Sequence, residues 1–362
     1  MTQKNETPIL IAALLITIGL VGAGFWWFTQ KSGVNLGGIL PQNSDATDAQ
    51  TAAEVAATAT PGNASTKPKA GGFAEIQAVP KGLFFYGGST TWAPLRRDVD
   101  PVLQTAQPGF QLRYTEPTNA TPGSSSGIRM LLSNQLAFAQ SSRALKEAEY
   151  QQAQQRGIAL KEIPVAIEGL AIAVNPSLNI AGLTLTQIKD IYAGKITNWN
   201  QVNGPNLPIT PFSRRIEDGG TVDFFVDNLL TGEAFGPTTK FVANTTTALR
   251  QLANNAGGIY YASAPEVVGQ CTIKPLSIGR QADEFIAPYQ LPYVPTSECP
   301  ARRNQVNLEA FRNGQYPITR RLFVVTKQDG QTDQQAGEAY AELLLTNQGQ
   351  ELITKAGFVR IK

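Results

Sequence analysis

Hydrophobic and polar positions divide the chain into three stretches. Residues 9–28 carry no charged side chain. A helix of that length, rising about 1.5 Å per residue, spans about 30 Å, the hydrocarbon thickness of a bilayer. Trp26 and Trp27 stand at its end, where amphipathic rings settle at a membrane interface. Bulky aromatics there argue against a cleaved signal peptide, which ends in small residues. The pattern predicts one transmembrane helix anchoring residues 1–31. Residues 32–72 are Ala, Thr, Gly, Pro, Asn and Gln with few large apolar side chains. Such a composition cannot repay the entropy of ordering, which predicts a disordered linker. From Phe73 to Lys362, strand-like and helix-like runs alternate.

Within that third stretch, residues 82–86 read as a short apolar strand running into Gly87-Gly88. Ile128, Leu131 and Leu132 keep a 3.6-residue period that predicts a helix over 127–137. Residues 163–174 read as a buried strand broken at Glu168-Gly169. Thr184 with Gln187 three residues on is a capping box; Leu185, Ile188, Ile191 and Tyr192 form one face, and Gly194 stops that helix. Further helices are expected over 222–230 and, as a pair or one broken helix, over 336–355. Further strands are expected over 258–262 and 322–326. Strands interleaved with helices point to α/β sheets, and no internal repeat is found.

Composition narrows the function. Thirty basic and 28 acidic residues leave a net charge of +2, which gives no reason to expect nucleic acid as a partner. Histidine is absent, which removes the usual general base near neutral pH and the commonest zinc ligand. Serine nucleophiles at Ser89, Ser124 or Ser141 would therefore lack a histidine partner, so no enzyme and no cofactor are expected. Cys271 and Cys299 are the only cysteines. Outside the cytoplasm the pair reads as a disulfide, which the loop-closure relation values at about 3–4 kcal/mol; two buried thiols are the alternative.

Three segments carry groups suited to an anion. Gly87-Gly88-Ser89-Thr90-Thr91-Trp92 leaves a strand with backbone amides and hydroxyls in a tight turn. Gly123-Ser124-Ser125-Ser126-Gly127 directly precedes a helix, whose first-turn amides have no intrahelical partner. Arg215-Ile216-Glu217-Asp218-Gly219-Gly220-Thr221 again enters a helix, with an arginine able to bond a tetrahedral oxyanion through two nitrogens. Any one of these is more often only a helix cap; the succession of all three is the signal. No Walker-type phosphate loop occurs. Trp92 and Trp199 read as packing residues.

From about Gly82 onward the chain resembles the phosphate-binding proteins of bacterial phosphate ABC importers, within the type II periplasmic binding proteins. GGSTTWAPL, GSSSGIRMLLSNQLAFAQSSRAL, IPVAIEGLAIAVNP, LTLTQIKDIYAGKITNWNQV, RIEDGGTVDFF, GGIYYA, YPITRRLFVV and LLLTNQGQELITKAGFV carry the resemblance, in the family's order. It implies Thr90 and Thr91 in the first anion loop and Ser124 at the second helix start. It also implies Arg215 as the anion-binding arginine, with Gly220 and Thr221 supplying amide and hydroxyl. Two positions depart from the pattern. Where one branch of the family has an Asp that accepts the proton of hydrogen phosphate, this chain has Ser142, followed by Arg143; the Ser-Arg pair resembles a variant of other branches, which implies both residues at the anion. Gly219 stands where the third loop usually carries a serine. Glu217 or Asp218 could supply an acceptor, or be solvated near the loop.

The resemblance implies two α/β lobes with a hinge and a central cleft. The first lobe takes residues 73–165 and 319–362, the second 166–318, with crossings near Glu168 and Tyr316–Arg321. The expected function is extracytoplasmic binding of inorganic phosphate, or a related tetrahedral oxyanion, at the membrane surface for delivery to ABC permease subunits. The rival expectation is a tethered oxyanion sensor or interaction protein without a transport role.

Overall fold

In the computed structural model, which describes residues 71–361, the apolar runs form twelve strands. They are β1 (Gly82–Gly88), β2 (Phe110–Tyr114), β3 (Phe138–Ser141), β4 (Leu160–Val174), β5 (Leu183–Thr184) and β6 (Thr210–Ser213), then β7 (Lys240–Phe241), β8 (Gly258–Ser263), β9 (Lys274–Leu276), β10 (Ile278–Gly279), β11 (Thr319–Lys327) and β12 (Val359–Arg360). The main sheet runs β2-β1-β3-β11-β4-β8-β6-β7, with β9 and β12 also paired to β4; β5 and β10 pair separately. β1 lies parallel to β2 and β3, so helical crossovers join them. β11 returns antiparallel between β3 and β4.

Two large apolar cores form on this scaffold, beside a smaller cluster around Ile128, Leu131, Ala139 and Val325. One gathers Phe73, Trp92, Phe138, Val165, Ala166, Leu322, Tyr340 and Phe358. The other gathers Leu170 through Val174, Ile188, Tyr192, Trp199, Phe225, Tyr261 and Phe311. β4 serves both, leaving the first core after Ala166 and entering the second at Leu170. β11 makes the same passage, with Ile318 just before it in the second core and Leu322 in the first.

The break expected at Glu168-Gly169 is absent: β4 runs unbroken for 15 residues. Arg320 pairs directly opposite Glu168 and supplies the counter-charge that lets a carboxylate stay inside a strand. The irregularity lies a little earlier, where Leu322 faces Ala166 and Phe323 faces Pro164, so Val165 is the extra residue of a bulge.

Other elements shift at their ends. The helix expected over 127–137 is Ser124–Leu132; Asn134 turns the chain at φ 57°, and the Ala137 N–H already donates to Phe85 C=O at 2.8 Å. The helix expected over 222–230 begins at Gly220 and finishes as a π turn, Val226–Leu230. The expected 336–355 pair is Thr332–Leu344 and Asn347–Lys355. Thr184 and Gln187 form the anticipated capping box. Both tryptophans are packing residues: Trp92 Nε1 donates to Ser141 C=O at 3.1 Å and Trp199 Nε1 to Gly257 C=O at 3.0 Å. Cys271 and Cys299 are bridged.

Gly71 and Phe73 are tied to the last helix: Gly71 C=O accepts from Gln348 N–H at 3.0 Å and the Phe73 N–H donates to Gln348 Oε1 at 2.9 Å. The membrane anchor expected over 1–31, and the linker up to residue 70, lie outside the described residues. Among the described residues no helix is long and apolar enough to cross a membrane.

Where β4 changes core, space is tight: a Cβ on Gly169 would stand 2.4 Å from the Phe311 ring, and that ring is held edge-on to Tyr316 at 4.8 Å. Gly169→Ala is therefore expected to lower stability by about 1–3 kcal/mol, the usual cost of overpacking, read as a lower urea midpoint at unchanged slope.

Candidate anion-binding site

The three hydroxyl-bearing segments meet where the two cores join. β1 ends in Gly88, whose φ of 122° and whose hypothetical Cβ, 2.3 Å from Gln140 C=O, both exclude a side chain. Ser89 N–H then donates to Gln140 C=O at 2.8 Å, and Arg96 Nη1 donates to Ser89 C=O at 3.1 Å. These bonds aim the turn Thr90–Trp92 at the junction. The helix Ser124–Leu132 presses its first turn on the same strand end, since a Cβ on Gly127 would fall 2.5 Å from Gly88 Cα.

A chain of serine hydroxyls links the segments of the first core. Ser89 Oγ donates to Ser142 Oγ at 2.9 Å, Ser142 N–H donates to Ser124 Oγ at 3.1 Å, and the Ser124 and Ser142 hydroxyls lie 3.4 Å apart. All three serines are buried. The helix Gly220–Phe225 approaches from the second core so closely that a Cβ on Gly220 would stand 2.2 Å from Ser124 Oγ and 2.9 Å from Ser142 Oγ. Thr91 and Thr221 bring their hydroxyls within 3.3 Å across the same junction.

Arg320 joins these hydroxyls to the strands that pass between the cores, β4 and β11. Its Nη2 donates to Thr91 Oγ1 at 3.1 Å and Thr221 Oγ1 at 2.9 Å, and its Nη1 to Gly220 C=O at 3.1 Å. Its Nε donates to Glu168 Oε1 at 2.6 Å, while Ser263 Oγ donates to Glu168 Oε2. Burial pushes the Glu168 carboxyl up, and Arg320 and Ser263 pull it back.

The remaining expected residues lie in different surroundings. Thr90 lines a cavity of about 10 Å³ with Arg214, Thr221, Thr245, Tyr260 and Glu266; that is room for about one water. Arg143 is not aimed there. Its five N–H groups go to Asp223 (3.1 Å), both Glu149 oxygens (2.8 and 2.9 Å), Ser125 Oγ (2.8 Å) and Ala144 C=O (2.9 Å). Burial lowers its pKa, but Glu149 and Asp223 outweigh that and raise it. Arg215 is 67% exposed and lines a separate open cavity with Thr121, Phe241 and Val242. Its buried neighbour Arg214 faces the Thr90 cavity in its place. Neighbouring residues leaving a strand point to opposite sides, so a two-arginine run offers one side chain to the junction and one to solvent.

Residues 43–348 match the family model of the PBP superfamily domain. The chain belongs to the PBP superfamily. Among curated PBP-type relatives, the phosphate-binding protein PstS of Borreliella burgdorferi is 28% identical over 288 residues, covering 76% of this chain and 89% of that protein. PstS of Staphylococcus epidermidis strain RP62A is 25% identical over 240 residues, 66% of this chain and 67% of the relative. The fold is similar to a Clostridium perfringens substrate-binding protein solved with bound phosphate, with TM-score 0.62, 23% identity, and coverage of 78% of this chain and 100% of that one. It is also similar to an ABC-type phosphate transport receptor from Vibrio cholerae, with TM-score 0.57, 22% identity, and coverage of 76% and 99%.

Sequence reasoning missed Arg320, Glu168, Arg214 and Glu266. A lone acid inside the apolar run 163–174 was the available signal for a buried counter-charge. Arg320→Met leaves Glu168 buried without its partner and is expected to cost about 3–5 kcal/mol. The double change Glu168→Gln with Arg320→Met is expected to regain at least half of that loss, as read from urea unfolding of the four proteins in the cycle.

Proposed function

We propose that this chain binds inorganic phosphate outside the cytoplasm and delivers it to the permease of an ABC importer. The observation that carries the reading is the convergence of Thr90, Thr91, Ser124, Ser142 and Thr221 hydroxyls with Arg214 and Arg320 at the junction of the two cores. Such donors match a tetrahedral oxyanion without any catalytic group. The phosphate-binding names of the relatives support the choice of anion.

The first lobe takes residues 73–165 and 319–362, the second 166–318, and they part about the crossings at Glu168 and Arg320. A cavity of about 10 Å³ is smaller than any tetrahedral oxyanion, so the Ser124–Ser142 side and the Gly220–Thr221 side separate to admit it. Closure then removes water and strengthens each charge-assisted bond. Arg214 is the arginine that bonds the anion, Gly220 and Thr221 give amide and hydroxyl, and Arg143 holds the lobes rather than the ligand. The apolar stretch 9–28 anchors the protein to the membrane, and the permease receives the closed form.

Calorimetric titration of the full-length protein in mild detergent, freed of bound anion, tests this. Phosphate is expected to bind and to displace sulfate. Arg214→Ala is expected to weaken phosphate by at least about tenfold, the scale of one bond to a charged group, and Arg215→Ala by less than about threefold. No heat with phosphate would overturn the reading, and equal losses in both variants would overturn the assignment of Arg214.

A further inference from the structure

The cavity wall holds one ionisable acid, Glu266. Glu266 follows β8 in the short helix Ala264–Val267 and lines the cavity beside Thr90, Arg214 and Thr221. The groups that face it come from four directions. Glu168 stands on β4, Arg320 on β11, Arg214 just beyond β6, and Ser263 with Tyr260 on β8. Tyr260 is itself engaged with Thr245, their oxygens 3.3 Å apart. Burial pushes the Glu266 carboxyl up, Glu168 pushes it further, and Arg320, Arg214 and the Ser263 backbone N–H pull it back, leaving it at about 7.

An ionised carboxylate in that wall only accepts hydrogen bonds, and it would present like charge to an arriving oxyanion. A neutral carboxyl adds an O–H donor to a cradle otherwise made of hydroxyls, amides and guanidinium. We propose that Glu266 binds the oxyanion as a neutral carboxylic acid, so that anion and proton enter the closing site together. The proton comes from solvent, and no bond other than that O–H is formed. The inference rests on the phosphate-binding reading above.

The bound anion raises the Glu266 pKa beyond its free value, because a unit charge about 4 Å away at an effective dielectric of about 20 strengthens proton binding by up to about a thousandfold. Below about pH 7 the free group is already protonated, and binding takes up nothing. Above that pH it is ionised when free and protonated when bound, so affinity falls as pH rises, approaching tenfold per pH unit.

The test is calorimetry of phosphate binding at about pH 8.5, where free phosphate is nearly all dianion, in two buffers of different ionisation enthalpy. The native protein is expected to take up close to one proton per phosphate. Glu266→Gln keeps a donor of similar reach but has no proton to gain, so it is expected to take up almost none, and the native protein is expected to take up almost none at about pH 6. Phosphate binding without proton uptake in the native protein, a measurement that needs no variant, overturns the inference and leaves the binding reading standing. Equal uptake in native and Glu266→Gln proteins overturns it too. Absence of phosphate binding at both pH values overturns the binding reading and the inference with it.

Discussion

The Glu168–Arg320 ion pair is the interaction on which the rest of the architecture depends. Both side chains are almost fully buried, and two charges removed from water are tolerable only when they meet each other and satisfy their remaining hydrogen-bonding capacity. Glu168 does so with Arg320 on one oxygen and Ser263 on the other. Arg320 spends its other nitrogens on Thr91 from the first core and on Thr221 and Gly220 from the second. The pair also fixes the register of β4 against β11, where the two residues stand opposite. A slip of either strand by one position would turn its charge to the other face of the sheet, away from the opposite charge.

A second ionic centre spans the junction from the other side. Asp223, on the helix that Gly220 begins, accepts from Arg143 and Ser125 of the first core and lies 3.3 Å from Lys146 Nζ. Arg143 is pinned at its far end by Glu149, so it acts as a strap between the segments. In the proposed cycle, opening has to break the Asp223 contacts while Glu168 and Arg320 stay paired at the pivot. A closed form already held by its own ion pairs lowers the conformational cost that anion binding has to meet. It also makes release depend on something that pulls the straps apart, the role that the proposed function gives to a permease.

Much of the scaffold was legible because its signals are local. The Thr184–Gln187 capping box and the apolar periods of the later helices lie within a few residues and form as read. Glu168 was visible too, as the one acid in an apolar run, but its meaning was not. Its counter-charge comes 152 residues later, and without that partner a buried carboxylate reads as a break in the strand. The arginine run is ambiguous for a different reason. Arg214 and Arg215 have the same chemistry, and which of them faces the junction is decided by the direction of the chain leaving β6. The resemblance puts Arg143 beside the anion because it follows Ser142, whereas three of its five donors go to acids on two other elements, Glu149 and Asp223, and the other two to Ser125 Oγ and Ala144 C=O.

The use of serine at position 142 changes what the cradle can do. Hydroxyls both donate and accept, so Ser89, Ser142 and Ser124 can satisfy one another in the closed junction, as they do here, and turn their hydrogens outward when an oxyanion arrives. Each of these three hydroxyls has a partner in the closed junction, which allows the straps to close the site without a ligand. The same adaptability removes discrimination, because a hydroxyl serves a protonated oxygen and an ionised one equally well. Selectivity among tetrahedral anions then falls to groups whose polarity is fixed or set by pH. In this cavity those are Arg214, which can only donate, and Glu266, whose protonation decides whether the wall repels the anion or binds it.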